Sequence, residues 1–244
     1  MSILKRIVSL VLSLAILVAF PVLSASANDY TVPEELVSYG AQVYKTAKAN
    51  FGRRSFSGYC GTYVRLQLHA MGILNDEFDF HGNGNKWYGN LKDLETTPTG
   101  YYVYSESGEN CLEKMAEKYG NDLKNIVISF PIQAGYSASY PGAGHAFVIY
   151  EIKDGIAYYS ESFSFGGHRE GSVIAEDIES LMKRYSRRHG SASGCVMFSD
   201  RDMTKPYCFT DQPYFEDEKE LLLNSLNFTY FAENILNSEY VFCS

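Results

Sequence analysis

The chain has 244 residues, of which 21 are Lys or Arg and 29 are Asp or Glu, so its formal net charge at pH 7 is −8. An acidic chain gains nothing from counterion release on nucleic acid and is repelled by anionic surfaces. The charge therefore argues against DNA, RNA and bare membrane as partners.

The first 27 residues have the pattern of a secretory signal peptide. Lys5 and Arg6 precede an apolar run over residues 7–23, and Ala25-Ser26-Ala27 has the small residues of a cleavage site. The sequence shows neither a cysteine just after this run to carry a lipid nor a later apolar segment long enough to span a bilayer. We expect a secreted or extracytoplasmic protein in which residues 28–205 fold as one domain.

Two helices are predicted at the start of that domain. An apolar stripe after Thr31 predicts a helix of about four turns that ends near Gly52. A Gly-rich turn then leads into Cys60, and the apolar residues that follow have helical spacing. Cys60 thus lies at a predicted helix N-terminus, where unpaired amides and the helix dipole stabilise a thiolate. Cys60 is our candidate nucleophile, although a buried thiol or half of a disulfide fits the same spacing.

The middle of the chain contains loops, short helices and strands. Residues 75–100 are rich in Gly and Asn and predict an ordered loop with a short helix. The periodicity next predicts a short strand, an amphipathic helix and a buried strand, at residues 101–104, 109–119 and 125–130. A long loop at 135–144 follows.

A β-hairpin is the clearest predicted element. Two apolar segments, 145–152 and 156–163, flank a turn that contains Asp154-Gly155. His145 begins the first strand and Glu161 lies near the end of the second, so the hairpin brings their side chains to neighbouring strand positions. A helix over residues 176–188 and a strand over 195–198 complete the predicted elements.

Three residues supply the parts of a thiol-dependent catalytic site. A thiol nucleophile needs a base to take its proton, and that base needs an orienting acceptor. Cys60, His145 and Glu161 follow one another in the order of a papain-like arrangement. A polar strand end and a solvated strand residue are the structural alternatives for His145 and Glu161, and His168 is the competing candidate for the base.

Four segments of the sequence resemble the CHAP family of cysteine, histidine-dependent amidohydrolases and peptidases, which are relatives of the NlpC/P60 group. These segments are residues 58–64, 84–88, 144–149 and 159–161. The resemblance implies an α+β, papain-like fold with N-terminal helices packed on an antiparallel sheet. It also implies cleavage of amide bonds in peptidoglycan peptides, with Cys60 as nucleophile, His145 as base and Glu161 as orienting carboxylate.

Five aromatic residues in or beside the expected site loops are candidates for substrate binding: Tyr59, Trp87, Tyr88, Tyr136 and Tyr140. A place in the core is the alternative, and for Trp87 it is the favoured one. We expect peptidoglycan or a peptide as the partner and no metal or organic cofactor, because the cysteines lack the spacing of a zinc site. The rival functions are a secreted cysteine protease or toxin acting on proteins, and an inactive binding protein on the same scaffold.

Two further features leave alternatives open. Besides Cys60 the chain has four cysteines, which allow up to two bridges in three connectivities: Cys111, Cys195, Cys208 and Cys243. Residues 206–244 are acidic and then aromatic. They form a C-terminal extension that either packs on the same domain or serves as a separate interaction tail.

Overall fold

A computed structural model describes residues 30–77, 82–139, 141–162 and 168–205. The chain divides into two compact units, Met1–Thr31 and Val32–Ser244, and all described helices and strands belong to the second. The predicted signal peptide and C-terminal extension lie outside the described residues. Within the described ranges, no helix combines the length and the apolar composition needed to cross a bilayer.

The described residues form helices on an antiparallel sheet. The helices are α1 (Glu34–Ala49), α2 (Cys60–Ala70), α3 (Trp87–Leu91), α4 (Cys111–Tyr119) and α5 (Ile178–His189), with a 3-10 helix at Gly84–Lys86 directly before α3. The strands are β1 (Tyr102–Ser107), β2 (Leu123–Phe130), β3 (His145–Lys153), β4 (Ile156–Ser160), β5 (Ile174–Asp177) and β6 (Gly194–Ser199). The sheet has the order β1-β6-β2-β3-β4-β5, and every neighbouring pair is antiparallel.

Helices cover both faces of the sheet because its central strands are apolar on both sides. Along β2, Ile126 and Ile128 belong to the cluster that packs on α4 and α5. Val127, which alternates with them, belongs to the cluster that packs on α1, α2 and α3. The α+β class and the N-terminal helices on an antiparallel sheet are thus confirmed, with a second helical layer on the other face.

The hairpin forms at the predicted place. Lys153 pairs with Ile156 across a two-residue turn in which Asp154 has φ +51° and Gly155 has φ +76°. Positive φ at both central positions matches the right-handed twist of the flanking strands. The second strand ends at Ser160, three residues earlier than predicted.

Several boundaries differ from those predicted. The strand predicted at 101–104 extends to residue 107, and the strand predicted at 125–130 begins at residue 123. The first helix begins at Glu34, after Pro33. Proline lacks an amide hydrogen and has a fixed φ, which suits it to a helix start.

The segment before α5 is a strand, which the sequence did not predict. Ile174–Asp177 forms the edge strand β5, and the helix begins at Ile178. The Asp177 carboxylate accepts a hydrogen bond from the amide of Ser180 at 2.8 Å and so caps the helix. The apolar spacing of Ile174 and Ile178 fits a first helical turn equally well, and pairing with β4 decides the outcome.

Candidate active site

Cys60 is the first residue of α2, and the backbone conformation of the two residues before it allows the helix to begin there. Gly58 has φ +79°, and Tyr59 has a non-helical conformation at the N-cap position. Cys60 is half-buried and is not part of a disulfide. Its Sγ lies 4.0 Å from the carbonyl oxygen of Gly144 and accepts hydrogen bonds from the amides of Gly61 and Ala146. The nucleophile candidate therefore faces the beginning of β3.

His145 and Glu161 meet Cys60 at this point. The His145 imidazole is hydrogen-bonded to the Cys60 thiol, and its Nε2 lies 3.5 Å from Oε2 of Glu161. The two side chains are only 4% and 1% exposed. His145 alternates with Ala146, so it shares the sheet face of Phe147, the face that packs on α5. The structure thus brings together the three residues named from the sequence.

The surroundings shift the pKa values of Cys60 and His145 in opposite directions. Burial works to raise the pKa of the Cys60 thiol, but the hydrogen bond and charge of His145 and the amides of Ala146 and Gly61 outweigh it, so the pKa is lowered. Burial works to lower the pKa of His145, but hydrogen bonds and charges from Cys60 and Glu161 outweigh it, so the pKa is raised. These directions favour a thiolate paired with an imidazolium.

Close backbone contacts hold the start of β3 against the loop before α3. A Cβ atom at Gly84 would lie 2.5 Å from the carbonyl carbon of His145. Gly144 has φ +65°, and a Cβ there would lie 2.4 Å from Cβ of Asn85. A residue with a Cβ atom would clash at each of these positions, so each requires glycine. The two glycines therefore set how closely the loop approaches His145.

A buried polar layer joins α2 to the strands that carry the other two residues. The Tyr63 hydroxyl lies 2.9 Å from Oγ of Ser160, and the Tyr150 hydroxyl donates to Oε1 of Gln67 at 2.6 Å. Tyr63 and Gln67 lie one turn apart on α2, whereas Ser160 and Tyr150 belong to β4 and β3. These directional bonds fix how α2 rotates and slides on the sheet.

Glu170 holds the segment that precedes the cysteine. Its carboxylate accepts hydrogen bonds from the amide of Phe56 at 2.5 Å and from the hydroxyl of Ser55 at 2.7 Å. The Phe56 ring is fully buried and packs on Tyr63, with ring centroids 4.4 Å apart. The turn that leads into Cys60 is therefore anchored at both its backbone and its side chains.

Two of the predicted substrate residues are exposed. Tyr59 is 38% and Tyr136 is 46% exposed. The Arg53 guanidinium lies 4.7 Å from the centre of the Tyr59 ring and donates a hydrogen bond to its hydroxyl. Tyr136 lies beside Gly142 in the loop that leads to His145. Tyr59 and Tyr136 thus present aromatic surface on the two segments that lead into Cys60 and His145.

The other predicted substrate residues have different positions. Trp87 has no exposed surface and packs in the core cluster under α2, the position that the core alternative describes. Tyr88 is half-buried, with its ring against the position of Gly194 on β6, two strands from β3. Tyr140 lies outside the described residues.

The remaining predicted histidine and cysteines also have defined places. His168 is exposed, and His145 is the histidine bonded to the thiol. Cys111 and Cys195 are buried and unbridged; Cys208 and Cys243 lie outside the described residues. In the described ranges, no group of His, Cys, Asp and Glu is arranged to hold a metal ion.

Sequence analysis missed the contribution of α5. The Tyr185 hydroxyl donates to Oε2 of Glu161 at 2.5 Å, and its ring stacks on His145. The His189 ring also stacks on His145, with centroids 4.6 Å apart. Tyr185 and His189 lie four residues apart on one helix face, a spacing that is visible in the sequence. Their apolar neighbours Leu181 and Met182 are typical of a helix face that simply fills a core, so the spacing alone does not indicate a contact with His145.

Comparison of the chain with protein-family models, with curated proteins and with solved structures gave no match. The functional argument therefore rests on the site itself.

Proposed function

We propose that this protein is an extracytoplasmic, thiol-dependent amide hydrolase of papain-like architecture. The observation that carries the proposal is the contact of the Cys60 thiol with His145, whose Nε2 lies 3.5 Å from Oε2 of Glu161. Three groups far apart in sequence converge in the order nucleophile, base and orienting carboxylate. This arrangement is the general one for thiol catalysis. The signal-peptide pattern of residues 1–27 supports the location.

In this proposal, the Cys60 thiolate attacks the carbonyl carbon of an amide. A carbon–sulfur bond forms, and the carbonyl electron pair moves to oxygen. The N-terminal amide of α2 at Cys60 has no carbonyl partner within the helix and donates to that oxygen. When the tetrahedral species collapses, the carbon–nitrogen bond breaks and the His145 imidazolium gives its proton to the departing amine. A thioester to Cys60 remains.

Water completes the cycle. Neutral His145 takes a proton from water, and the resulting hydroxide attacks the thioester carbonyl. The sulfur leaves as thiolate, and the acid product departs, so the thiolate and imidazolium pair is restored. Glu161 keeps the imidazole ring oriented through both halves and lowers the energy of its charged form.

The proposed substrate is the peptide part of peptidoglycan. Support comes from the resemblance of the motifs around Cys60 and His145 to the CHAP family, and from two exposed aromatic residues, Tyr59 and Tyr136, beside the site. Aromatic rings of this kind stack on sugars or cover a peptide chain. A secreted protease that acts on proteins would use the same chemistry. The two candidate functions differ only in their substrate.

The test compares wild-type protein with Cys60→Ala on purified peptidoglycan and on casein. We expect wild-type protein to release new amino groups from peptidoglycan but not from casein, and Cys60→Ala to release none. Release from casein alone would favour the protease. Equal release by both proteins would overturn the hydrolase proposal, and no release from any amide substrate together with an unreactive Cys60 would favour the binding protein.

A further inference from the structure

We propose that Tyr185 is a positioning residue for the His145 and Glu161 pair, so that the site works as a four-residue unit with its fourth member on α5. The proposal rests on the proposed function. It assigns Tyr185 no contact with substrate. Its role is to hold one carboxylate oxygen of Glu161 in the direction of the imidazole.

The hydrogen bond is the first observation. The Tyr185 hydroxyl donates to Oε2 of Glu161 at 2.5 Å, and the same oxygen lies 3.5 Å from Nε2 of His145. Among the described residues, the other oxygen, Oε1, is buried and has no hydrogen-bond partner. A carboxylate bonded at one oxygen has its rotation limited by that bond. The Tyr185 hydroxyl therefore selects the oxygen that His145 meets.

The stacking of the ring is the second observation. The Tyr185 and His145 rings are nearly parallel, at 7° with centroids 5.6 Å apart. His189 stacks at 18° on the same imidazole. Since Tyr185 and His189 belong to one helix face, α5 forms a flat support against which the imidazole lies. One tyrosine thus fixes the plane of the base and the direction of its acceptor.

Neighbouring contacts hold Tyr185 itself in place. The Arg184 guanidinium bonds Glu176 through two nitrogens, at 3.0 Å and 2.5 Å, and donates to the Tyr159 hydroxyl at 2.6 Å. Arg184 also lies 4.5 Å from the centre of the Tyr185 ring. These bonds attach α5 to β4 and β5. Burial raises the pKa of the Tyr185 phenol well above its usual range, so its hydroxyl remains a donor.

The decisive variant is Tyr185→Phe, which keeps the ring and removes the hydroxyl. Without that hydrogen bond the Glu161 carboxylate is free to turn away from Nε2 of His145, so it stabilises the imidazolium less. We expect kcat to fall roughly tenfold, the loss typical of one hydrogen bond to a charged group, with KM unchanged. The alkylation of Cys60 by iodoacetamide should also require a higher pH than in wild-type protein.

The matched control is Tyr104→Phe. Tyr104 is also buried, and its hydroxyl donates to a carboxylate, that of Asp202 at 3.2 Å, on the edge strand β1. Tyr104→Phe should keep the wild-type kcat and alkylation profile. The proposal is overturned if Tyr185→Phe matches wild-type protein within twofold in kcat and shows the same alkylation profile.

Two further measurements separate the possible failures. If Cys60→Ala keeps full activity, the proposed function is wrong. If Cys60→Ala is inactive and Tyr185→Phe equals wild-type protein, only the role of Tyr185 is wrong. Should Tyr185→Phe not fold, proton NMR of wild-type protein decides. A strongly deshielded hydroxyl proton that disappears in Glu161→Gln supports the proposal, and its absence from the wild-type spectrum overturns it.

Discussion

Nε2 of His145 lies 3.5 Å from Oε2 of Glu161, and both side chains are almost completely shielded from water. A buried carboxylate is costly unless an opposite charge or hydrogen-bond donors face it. Here the imidazolium form of His145 supplies that charge from one side and Tyr185 supplies a donor. The carboxylate therefore stabilises the protonated form of His145, and that positive charge in turn stabilises the thiolate form of Cys60.

The first prediction concerns the reactivity of Cys60. Because the pKa of its thiol is lowered, iodoacetamide should label Cys60 in wild-type protein at mildly acidic pH. A thiol with the ordinary pKa of about 8.5 is almost fully protonated at that pH and therefore reacts slowly with iodoacetamide. Labelling followed by peptide mass spectrometry measures the rate at each pH. Cys111 and Cys195 serve as internal controls because both are fully buried.

His145→Ala tests the cause of that reactivity. Without the imidazolium, burial still acts to raise the pKa of the thiol, so the pH at which Cys60 becomes reactive should move upward. An unchanged labelling profile would contradict a thiolate and imidazolium pair.

The second prediction is a bell-shaped dependence of kcat/KM on pH. On the acid side, activity should fall when Cys60 is protonated, below the usual range of a thiol because its pKa is lowered. On the alkaline side, activity should fall when His145 loses its proton, above the usual range of an imidazole because its pKa is raised. A rate measured across pH on the amide substrate tests both limbs. A profile with no fall on the alkaline side would contradict it.

The third prediction compares two glycines of the loop and helix before β1. Gly84→Ala places a Cβ 2.5 Å from the backbone of His145, whereas a Cβ at Gly89 meets nothing within 4 Å. Gly84→Ala should destabilise the fold by about 1–3 kcal/mol and reduce activity, as overpacking does. Gly89→Ala, inside α3, should be neutral or stabilise by up to about 1 kcal/mol.

Urea unfolding and kcat measure this pair of variants. Equal stability of Gly84→Ala and Gly89→Ala would mean that the close contact at His145 relaxes without cost.

The positions of the candidate site residues could be predicted from the sequence, whereas the packing around them could not. A cysteine at a helix start and a hairpin with a two-residue turn are local signals, and both positions could be read without knowledge of the tertiary fold. The meeting of Cys60 with His145 depends on how α2 packs on β3 and β4, which the polar layer sets. Gly84 and Gly144 set how closely the loop before α3 approaches His145. None of these features has a local signature of its own.

Tyr185 and β5 show why other features were missed. Tyr185 lies on an apolar helix stripe, where a tyrosine usually fills a core, and only its contact with Glu161 distinguishes it. Ile174–Asp177 has apolar spacing that suits a helix, and its pairing with β4 is a long-range choice. Trp87 illustrates the reverse case, because large aromatic residues predict burial well and its ring is fully enclosed.

The fourth prediction concerns the polar layer under α2. Tyr150→Phe removes the donor to Oε1 of Gln67 and leaves that oxygen buried without its bond, which should cost about 1–3 kcal/mol of stability. Adding Gln67→Met removes the stranded acceptor, so the double variant should recover part of the loss. Urea unfolding of both single variants and the double variant measures the coupling. Strictly additive losses would show that the two side chains act independently.

The fifth prediction uses the pH dependence of stability. Burial, followed by the charge of His145, lowers the pKa of His189 from its usual 6.5 to about 4. Between these values the unfolded chain binds a proton at His189 and the folded chain does not, so His189 makes the fold less stable as pH falls from 6.5 to 4. His145 acts with the opposite sign, because its raised pKa adds stability at low pH that is lost as pH rises through the folded-state value.

His189→Phe removes the first of these contributions and keeps a ring to stack on His145. Its Tm should therefore fall less than that of wild-type protein between pH 6.5 and 4, in thermal unfolding followed by circular dichroism. His168→Phe is the control, because His168 is exposed in the fold, and it should keep the wild-type slope. The same slope for His189→Phe and wild-type protein would mean that His189 accepts its proton equally well in the folded and unfolded chain. In that case burial and the charge of His145 would not keep the His189 ring neutral in the fold.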